Sequence, residues 1–118
     1  MTIKEVQTTL QATLLTEDAD TSKEVHAACG SDMMSDVLAY VKDQAVLVTG
    51  LNNPQVVRTA DMMDMVCICF VRGKVPDETV LALAKARSIA VMTSKMTMFT
   101  ACGLLYQAGL RGGGRCDG

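Results

Sequence analysis

Two short, unbroken apolar runs, residues 45–48 and 65–71, constrain the fold of this chain more than any other feature of its sequence. Runs of this length without polar alternation are typical of strands that are buried on both faces of a parallel sheet. Between the two runs, Val56, Ala60 and Met63 recur on one face of a helix. Because parallel strands need such a crossover connection, the pattern predicts an α/β fold with helices on both faces of the sheet.

Three further extended segments and a short first helix complete this prediction. Thr2, followed by Glu5 three residues later, has the spacing of a capping box and predicts a helix that ends near Thr9. Extended segments are predicted at residues 13–15, 25–29 and 89–92, the second of them stopped by Gly30. The expected architecture is a three-layer α/β/α fold around a mainly parallel central sheet of about five strands.

Residues that begin and end helices predict the second and the last helix. Ser31 or Asp32 is placed to cap the second helix, and Thr93 or Ser94 is placed to cap the last one. The last helix is predicted to end at Gly109, a typical residue just after a helix C-terminus. The apolar face of the second helix is formed by Met34, Val37, Leu38 and Val41.

The helix after the second apolar run has the clearest charge order. Pro76 stands in its predicted first turn with the carboxylates of Asp77 and Glu78. Lys85 and Arg87 stand in its last turn, as the helix dipole favours. Residues 1–110 are therefore interpreted as one domain, and residues 111–118, with four glycines, as a flexible tail.

Composition excludes several classes of partner. The longest apolar run is far too short to span a bilayer, so no membrane partner is expected. A formal net charge of −2 and 3% aromatic residues do not favour nucleic-acid binding. Five cysteines, an odd number at irregular spacing, exclude a complete disulfide framework and favour a reducing, cytoplasmic location.

The chain offers no self-contained catalytic or metal-binding motif. Cys67 and Cys69 fall in the most apolar strand and are interpreted as buried structural thiols, since zinc needs four convergent ligands. His26 is the single histidine, and the sequence does not show a nucleophile or an acid converging on it. Neither glycine-rich phosphate motif occurs. We therefore expect no metal, no resident cofactor and no enzymatic activity.

The loops that follow the predicted parallel strands supply the candidate binding site. Such loops gather along one edge of a parallel sheet, where free backbone N–H groups and cations can hold an anion. Ordinary caps and turns would give the same residue types, and this alternative stays open at the level of the sequence. The candidate ligand-binding residues are Ser31, Asp32, Thr49, Asn52, Asn53, Arg72, Gly73, Lys74, Ser94 and Lys95.

Four stretches of the chain resemble the DRTGG domain family: GSDMMSDV at residues 30–37, TGLNNP at 49–54, FVRGKVPDE at 70–78, and the helix that leads from TSK at 93–95 to Gly109. At the element that names the family, Val71 and Arg72 stand where the threonine and the first glycine would be, and Gly73 is retained. The resemblance implies an α/β/α fold similar to the N-terminal domain of bifunctional HPr kinase. It also implies a regulatory role, beside phosphotransacetylases or within CBS-domain pyrophosphatases. In the pyrophosphatases the resemblance further implies adenine-nucleotide control and dimer formation.

Two functions are compatible with these observations. The first is a non-catalytic regulatory domain that senses a small phosphate-bearing ligand, such as an adenine nucleotide or another small anion. The alternative is a protein-interaction or assembly module without a ligand of its own. Nine methionines, several of them in adjacent pairs, leave apolar surface for a partner protein, and a homodimer is expected.

Overall fold

A computed structural model describes residues 1–39 and 43–112 of the chain. Its strands are β1 (Thr13–Leu14), β2 (Ala27–Gly30), β3 (Ala45–Thr49), β4 (Cys67–Phe70) and β5 (Ala90–Thr93). Its helices are α1 (Ile3–Thr9), α2 (Met34–Val37), α3 (Pro54–Met62), α4 (Glu78–Ala86) and α5 (Met98–Gln107). The five strands form one sheet with the order β1-β5-β4-β3-β2, in which β2 to β5 are parallel and β1 is antiparallel to β5. The predicted mainly parallel, five-stranded sheet is confirmed.

Helices cover both faces of this sheet, because alternate residues of the buried strands point to opposite sides. In β4, Ile68 and Phe70 pack with α3 and α4, whereas Cys67 and Cys69 pack with α1 and α5. All five residues of β3 and all four of β4 are buried, as the two unbroken apolar runs predict. The predicted three-layer α/β/α architecture is therefore confirmed.

Several predicted helix boundaries are confirmed by their capping bonds. The Thr2 hydroxyl accepts from the Glu5 amide, and the Glu5 carboxylate accepts from the Thr2 amide, which completes the predicted capping box. At the other end of the chain, Gly109 adopts a φ of +111° directly after α5. The amides of Gly109 and Leu110 bond back to the last turn of that helix, as in a Schellman motif.

Three other predictions about where helices begin are wrong. α2 begins after Met33, which makes no side-chain capping bond. The Ser31 hydroxyl accepts from the Met33 amide, and the Asp32 carboxylate accepts from the Thr49 hydroxyl and the Gly50 amide, so neither caps the helix. α5 begins after Thr97 and not at Thr93 or Ser94, since the Ser94 hydroxyl donates to the Leu10 carbonyl instead. Pro76 precedes the Asp77 cap of α4 and so lies outside the first turn of that helix.

Two other predictions fall partly on residues outside the described ranges. They are the place of Val41 on the second helix and most of the glycine-rich tail. α2 itself is a single turn that ends at Val37. No helix in residues 1–39 and 43–112 is long and apolar enough to cross a membrane.

Candidate functional site

The carboxyl ends of β2, β3, β4 and β5 lie at one edge of the sheet, which we call the strand-end edge. The parallel register pairs Gly30 with Val48, Thr49 with Phe70, and Phe70 with Thr93. The loops that leave these strands therefore begin side by side. Every candidate residue taken from the sequence lies in one of these loops or at the strand end before it. The structure divides them into a polar notch between β2, β3 and β4, and a cavity beside β5.

The polar notch is built around the backbone amide of Gly50. This amide donates to Oδ1 of Asp32 at 2.6 Å, and the Thr49 hydroxyl donates to the same oxygen at 3.2 Å. The Leu51 amide donates to the Thr49 hydroxyl oxygen at 3.1 Å, which leaves the hydroxyl proton available for Asp32. Thr49 and Gly50 are buried, while Asp32 comes from an exposed position of its loop. A carboxylate thus occupies the end of β3.

Arg72 reaches the same notch from the turn that follows β4. Arg72 and Gly73 have φ values of +58° and +69°, and the Lys74 amide donates to the Val71 carbonyl, which together are typical of a type I′ turn. A β-carbon added to Gly50 would lie 2.6 Å from Nη2 of Arg72 and 3.4 Å from Oδ1 of Asp32. The guanidinium of Arg72 and the carboxylate of Asp32 therefore both lie beside Gly50.

The cavity lies between the turn after α1, the turn after β4 and the loop after β5, and its volume is about 430 Å³. Lys95 brings a cation to it, and the Ser94 hydroxyl is already bonded to the Leu10 carbonyl and the Met96 amide. The Thr93 hydroxyl donates to the Lys74 carbonyl at 2.6 Å. The lining residues are Leu10, Gln11, Thr13, Gly73, Val75, Thr93, Ser94, Lys95 and Met96.

Asn52 and Asn53 also have hydrogen-bond partners within the protein. The Asn53 side chain caps α3 by accepting from the Gln55 amide at 2.9 Å. The Asn52 amide group donates to the Val75 carbonyl at 3.1 Å and so ties the loop after β3 to the loop after β4. Both residues shape the strand-end edge.

Leu10, Gln11, Thr13, Val75 and Met96 are cavity residues that sequence reasoning missed. Three of them belong to the turn between α1 and β1 or to β1 itself, and they reach this edge because β1 is antiparallel to β5, with Thr13 opposite Thr93. No local pattern shows the direction in which a two-residue strand pairs. Val75 and Met96, however, stand close to the candidate residues Lys74 and Lys95 in the same loops.

Among the described residues, Cys67, Cys69 and Cys102 add no reactive thiolate to the site and no side chains form a metal-binding cluster. Burial raises the pKa of Cys69 to about 12, and it raises the pKa of Cys67 as well, so both thiols stay protonated at neutral pH. Cys102 of α5 is half-buried, and burial raises its pKa too. Within the described part of the chain, no three histidine, cysteine or acidic side chains are arranged to hold a metal ion.

Comparison with protein families identifies the architecture. A model of the DRTGG domain matches residues 5–108. The chain belongs to the DRTGG domain family. No sequence among curated proteins matches it.

A solved structure supports this assignment at the level of the fold. The DRTGG chain superposes with a TM-score of 0.73 and 17% identity on the crystal structure of the CBS and DRTGG domains of the regulatory region of Clostridium perfringens pyrophosphatase. That region was crystallised with its activator, diadenosine tetraphosphate. The alignment covers 91% of the DRTGG chain and 46% of the pyrophosphatase chain, so this protein spans about half of that structure.

Proposed function

We propose that this DRTGG domain is a non-catalytic regulatory domain that binds a small phosphate-bearing ligand, such as an adenine nucleotide, at the strand-end edge. The observation that carries the proposal is the cavity of about 430 Å³ beside the ends of β4 and β5. Its volume is within the range of small-molecule sites in proteins, about 300–1,000 Å³. One wall carries Lys95, and the loop after β4 brings Arg72 and Lys74 to the same edge.

Electrostatics support an anionic ligand although the whole chain is acidic. Three cations, Arg72, Lys74 and Lys95, belong to two adjacent loops of this edge, and all three are exposed. A local group of like charges raises the concentration of counter-ions at a concave surface, whatever the net charge of the protein. Lysine binds phosphate as a point charge, and arginine can bind it through two parallel N–H donors.

The pyrophosphatase region supports the nucleotide class of ligand. Its complex contains an adenine dinucleotide that acts as its activator, and it combines CBS and DRTGG domains. The proposal for this chain is narrower: its own strand-end edge is sufficient to bind a phosphate group. Turnover is not part of the proposal, because the cavity wall contains no histidine, cysteine, aspartate or glutamate side chain.

Ligand-induced thermal stabilisation tests this function. AMP, ATP and diadenosine tetraphosphate are added at millimolar concentration, and binding at a hundredfold excess over Kd adds about 2.7 kcal/mol of stability. That corresponds to a rise of several degrees in the melting midpoint of a domain of this size. Lys95→Gln should weaken binding by about 1.5–3 kcal/mol, the value of a hydrogen bond to a charged group.

Lys85→Gln is the matched control. Lys85 lines a separate cavity of about 320 Å³ that also contains Ser88 and Ile89, just before β5 and hence at the opposite end of the strand. This variant removes the same charge and should bind like the wild type. A melting midpoint that does not move with any of the three ligands would reject the proposed function.

The alternative function, an assembly module, is favoured by a different observation. α5 contains no charged residue, and its outer side exposes Phe99, Gly103 and Tyr106 at helical spacing. Phe99 is 88% exposed, which is unusual for a large apolar side chain. This side of the molecule is suited to a protein partner. It carries none of the residues that line the strand-end cavity.

A further inference from the structure

The polar notch contains the donors of an anion site, and one of the chain's own carboxylates occupies them. Gly50 supplies a backbone N–H and Thr49 a hydroxyl, and both donate to the same oxygen of Asp32. A backbone amide and a hydroxyl at the end of a parallel strand are donors that proteins also offer to phosphate oxygens. In this structure the anion that these two donors hold is the carboxylate of Asp32.

A cation faces the same point and keeps its own donors. Nη2 of Arg72 lies beside Gly50, where it would be 2.6 Å from a β-carbon added to that glycine. Among the described residues, no hydrogen bond or ion pair holds the guanidinium of Arg72, whereas the guanidinium groups of Arg87 and Arg111 donate to protein acceptors. The five N–H donors of Arg72 are thus available to a ligand.

Arg72 has an unfavourable backbone conformation, and this conformation directs its side chain toward Gly50. A residue other than glycine is disfavoured in the left-handed region, because its β-carbon approaches the following carbonyl oxygen. At this turn Gly73 satisfies the same requirement without a side chain. Arginine at position 72 therefore reduces the stability of the turn, and in return it brings a guanidinium to the end of β3.

We propose that Gly50, Thr49 and Arg72 form a second anion subsite, and that Asp32 competes with the ligand for it as a built-in anion. This inference rests on the proposed function, because it adds a regulated subsite to the same strand-end edge. Asp32 lies at an exposed position in the loop between β2 and the single-turn helix α2, so its side chain can leave without disturbing the core. The ligand group would be a phosphate or another compact oxyanion.

The competition has a quantitative consequence. If Asp32 occupies the notch in nine-tenths of the molecules or more, its removal should strengthen anion binding by about tenfold or more, because the apparent Kd scales inversely with the open fraction. Asp32→Ala empties the notch, and Asp32→Asn leaves a neutral occupant. The expected order of affinity for inorganic phosphate is Asp32→Ala, then Asp32→Asn, then the wild type.

Calorimetric titration of inorganic phosphate into the full chain measures this order. Asp36→Ala, which removes an exposed carboxylate from α2 only four residues away, controls for the change in net charge. Arg72→Gln in the Asp32→Ala background should cancel the gain. The backbone amide of Gly50 provides a second readout: its proton resonance should shift on phosphate addition in Asp32→Ala and respond less in the wild type.

The outcomes separate this inference from the proposed function. Equal phosphate affinity in Asp32→Ala and Asp36→Ala, or no response at Gly50, would overturn the competition even if nucleotides bind through Lys95. If Lys95→Gln leaves nucleotide binding unchanged while Asp32→Ala binds phosphate more tightly, the cavity would be rejected as the ligand site and the notch retained. Circular dichroism at the titration temperature verifies that each variant is folded.

Discussion

A single thiol determines which residue can end β2. Gly30 is the last residue of that strand, and a β-carbon added there would lie 2.5 Å from Sγ of Cys102 on α5. A cysteine side chain has one rotatable bond to its sulfur, so it cannot move far without changing how α5 packs on the sheet. Gly30 is therefore required for the packing of α5 on the sheet. Its position near the strand-end edge follows from its being the last residue of β2.

Gly30→Ala should destabilise the domain by about 1–3 kcal/mol, the usual cost of overpacking a well-filled contact. The cause is the contact with Cys102, so Cys102→Ala combined with Gly30→Ala should recover most of this loss. Urea unfolding followed by circular dichroism measures both variants. Gly112→Ala is the control, since a β-carbon at Gly112 meets no atom within 4 Å. A Gly30→Ala variant as stable as this control would contradict the explanation.

At the scale of elements, the sequence predicted a helix start correctly where the capping hydrogen bonds lie within the same helix turn. Thr2 and Glu5 could be assigned to a capping box from spacing alone, because both of its hydrogen bonds lie within one turn. Asp32 and Ser94 also have side chains that can cap a helix, but each is bonded to a residue distant in the sequence. Asp32 accepts from the Gly50 amide, and Ser94 donates to the Leu10 carbonyl. The sequence shows a polar side chain that can cap, but it does not show a competing donor brought from a distant strand.

The first helix should respond to pH through its capping carboxylate. The Thr2 backbone amide, and then the Thr2 hydroxyl, hold the pKa of Glu5 below its ordinary value of 4.5. Because the pKa is lower in the folded state, Glu5 adds stability above the unfolded-state pKa, and this contribution is lost as the pH falls through the folded-state pKa. The difference in unfolding free energy between wild type and Glu5→Gln should therefore be constant near neutral pH and shrink below pH 4.5.

Urea unfolding at a series of pH values measures this difference. Glu17→Gln removes the same charge from an exposed loop position, and it separates the effect of the cap from the general effect of a lost carboxylate. A difference that grows as the pH is lowered would have the wrong sign and would exclude the capping role of the ionised form.

At the scale of the whole molecule, the sheet was predictable and the site was only partly so. Residues 45–48 and 65–71 identify the central strands because burial on both faces requires apolar residues throughout. The placement of Arg72 and Asp32 beside Gly50, in contrast, depends on the register that pairs Thr49 with Phe70. The cavity depends on the antiparallel pairing of β1. Both are long-range pairings without a local sequence signal.

The outer side of α5 gives a further prediction at this scale, a homodimer. Phe99 and Tyr106 are separated by Gly103 on this helix, which has no charged residue of its own, and the guanidinium of Arg111 stacks on the Tyr106 ring. A twofold axis across α5 would place the aromatic side chains of one copy near the small residue of the other, and twofold pairing is the commonest form of oligomer. Burying Phe99, now 88% exposed, would remove a large apolar surface from water.

Sedimentation velocity at tens of micromolar should show one species with the mass of two chains of 12.6 kDa. Phe99→Glu should shift it to the monomer, because it places a charge at the centre of the apolar contact without a partner. Met62→Glu makes the same kind of change on α3, at a side chain that is 56% exposed, and should leave the dimer intact. A monomeric wild type would exclude the dimer, and a Phe99→Glu dimer would move the contact away from α5.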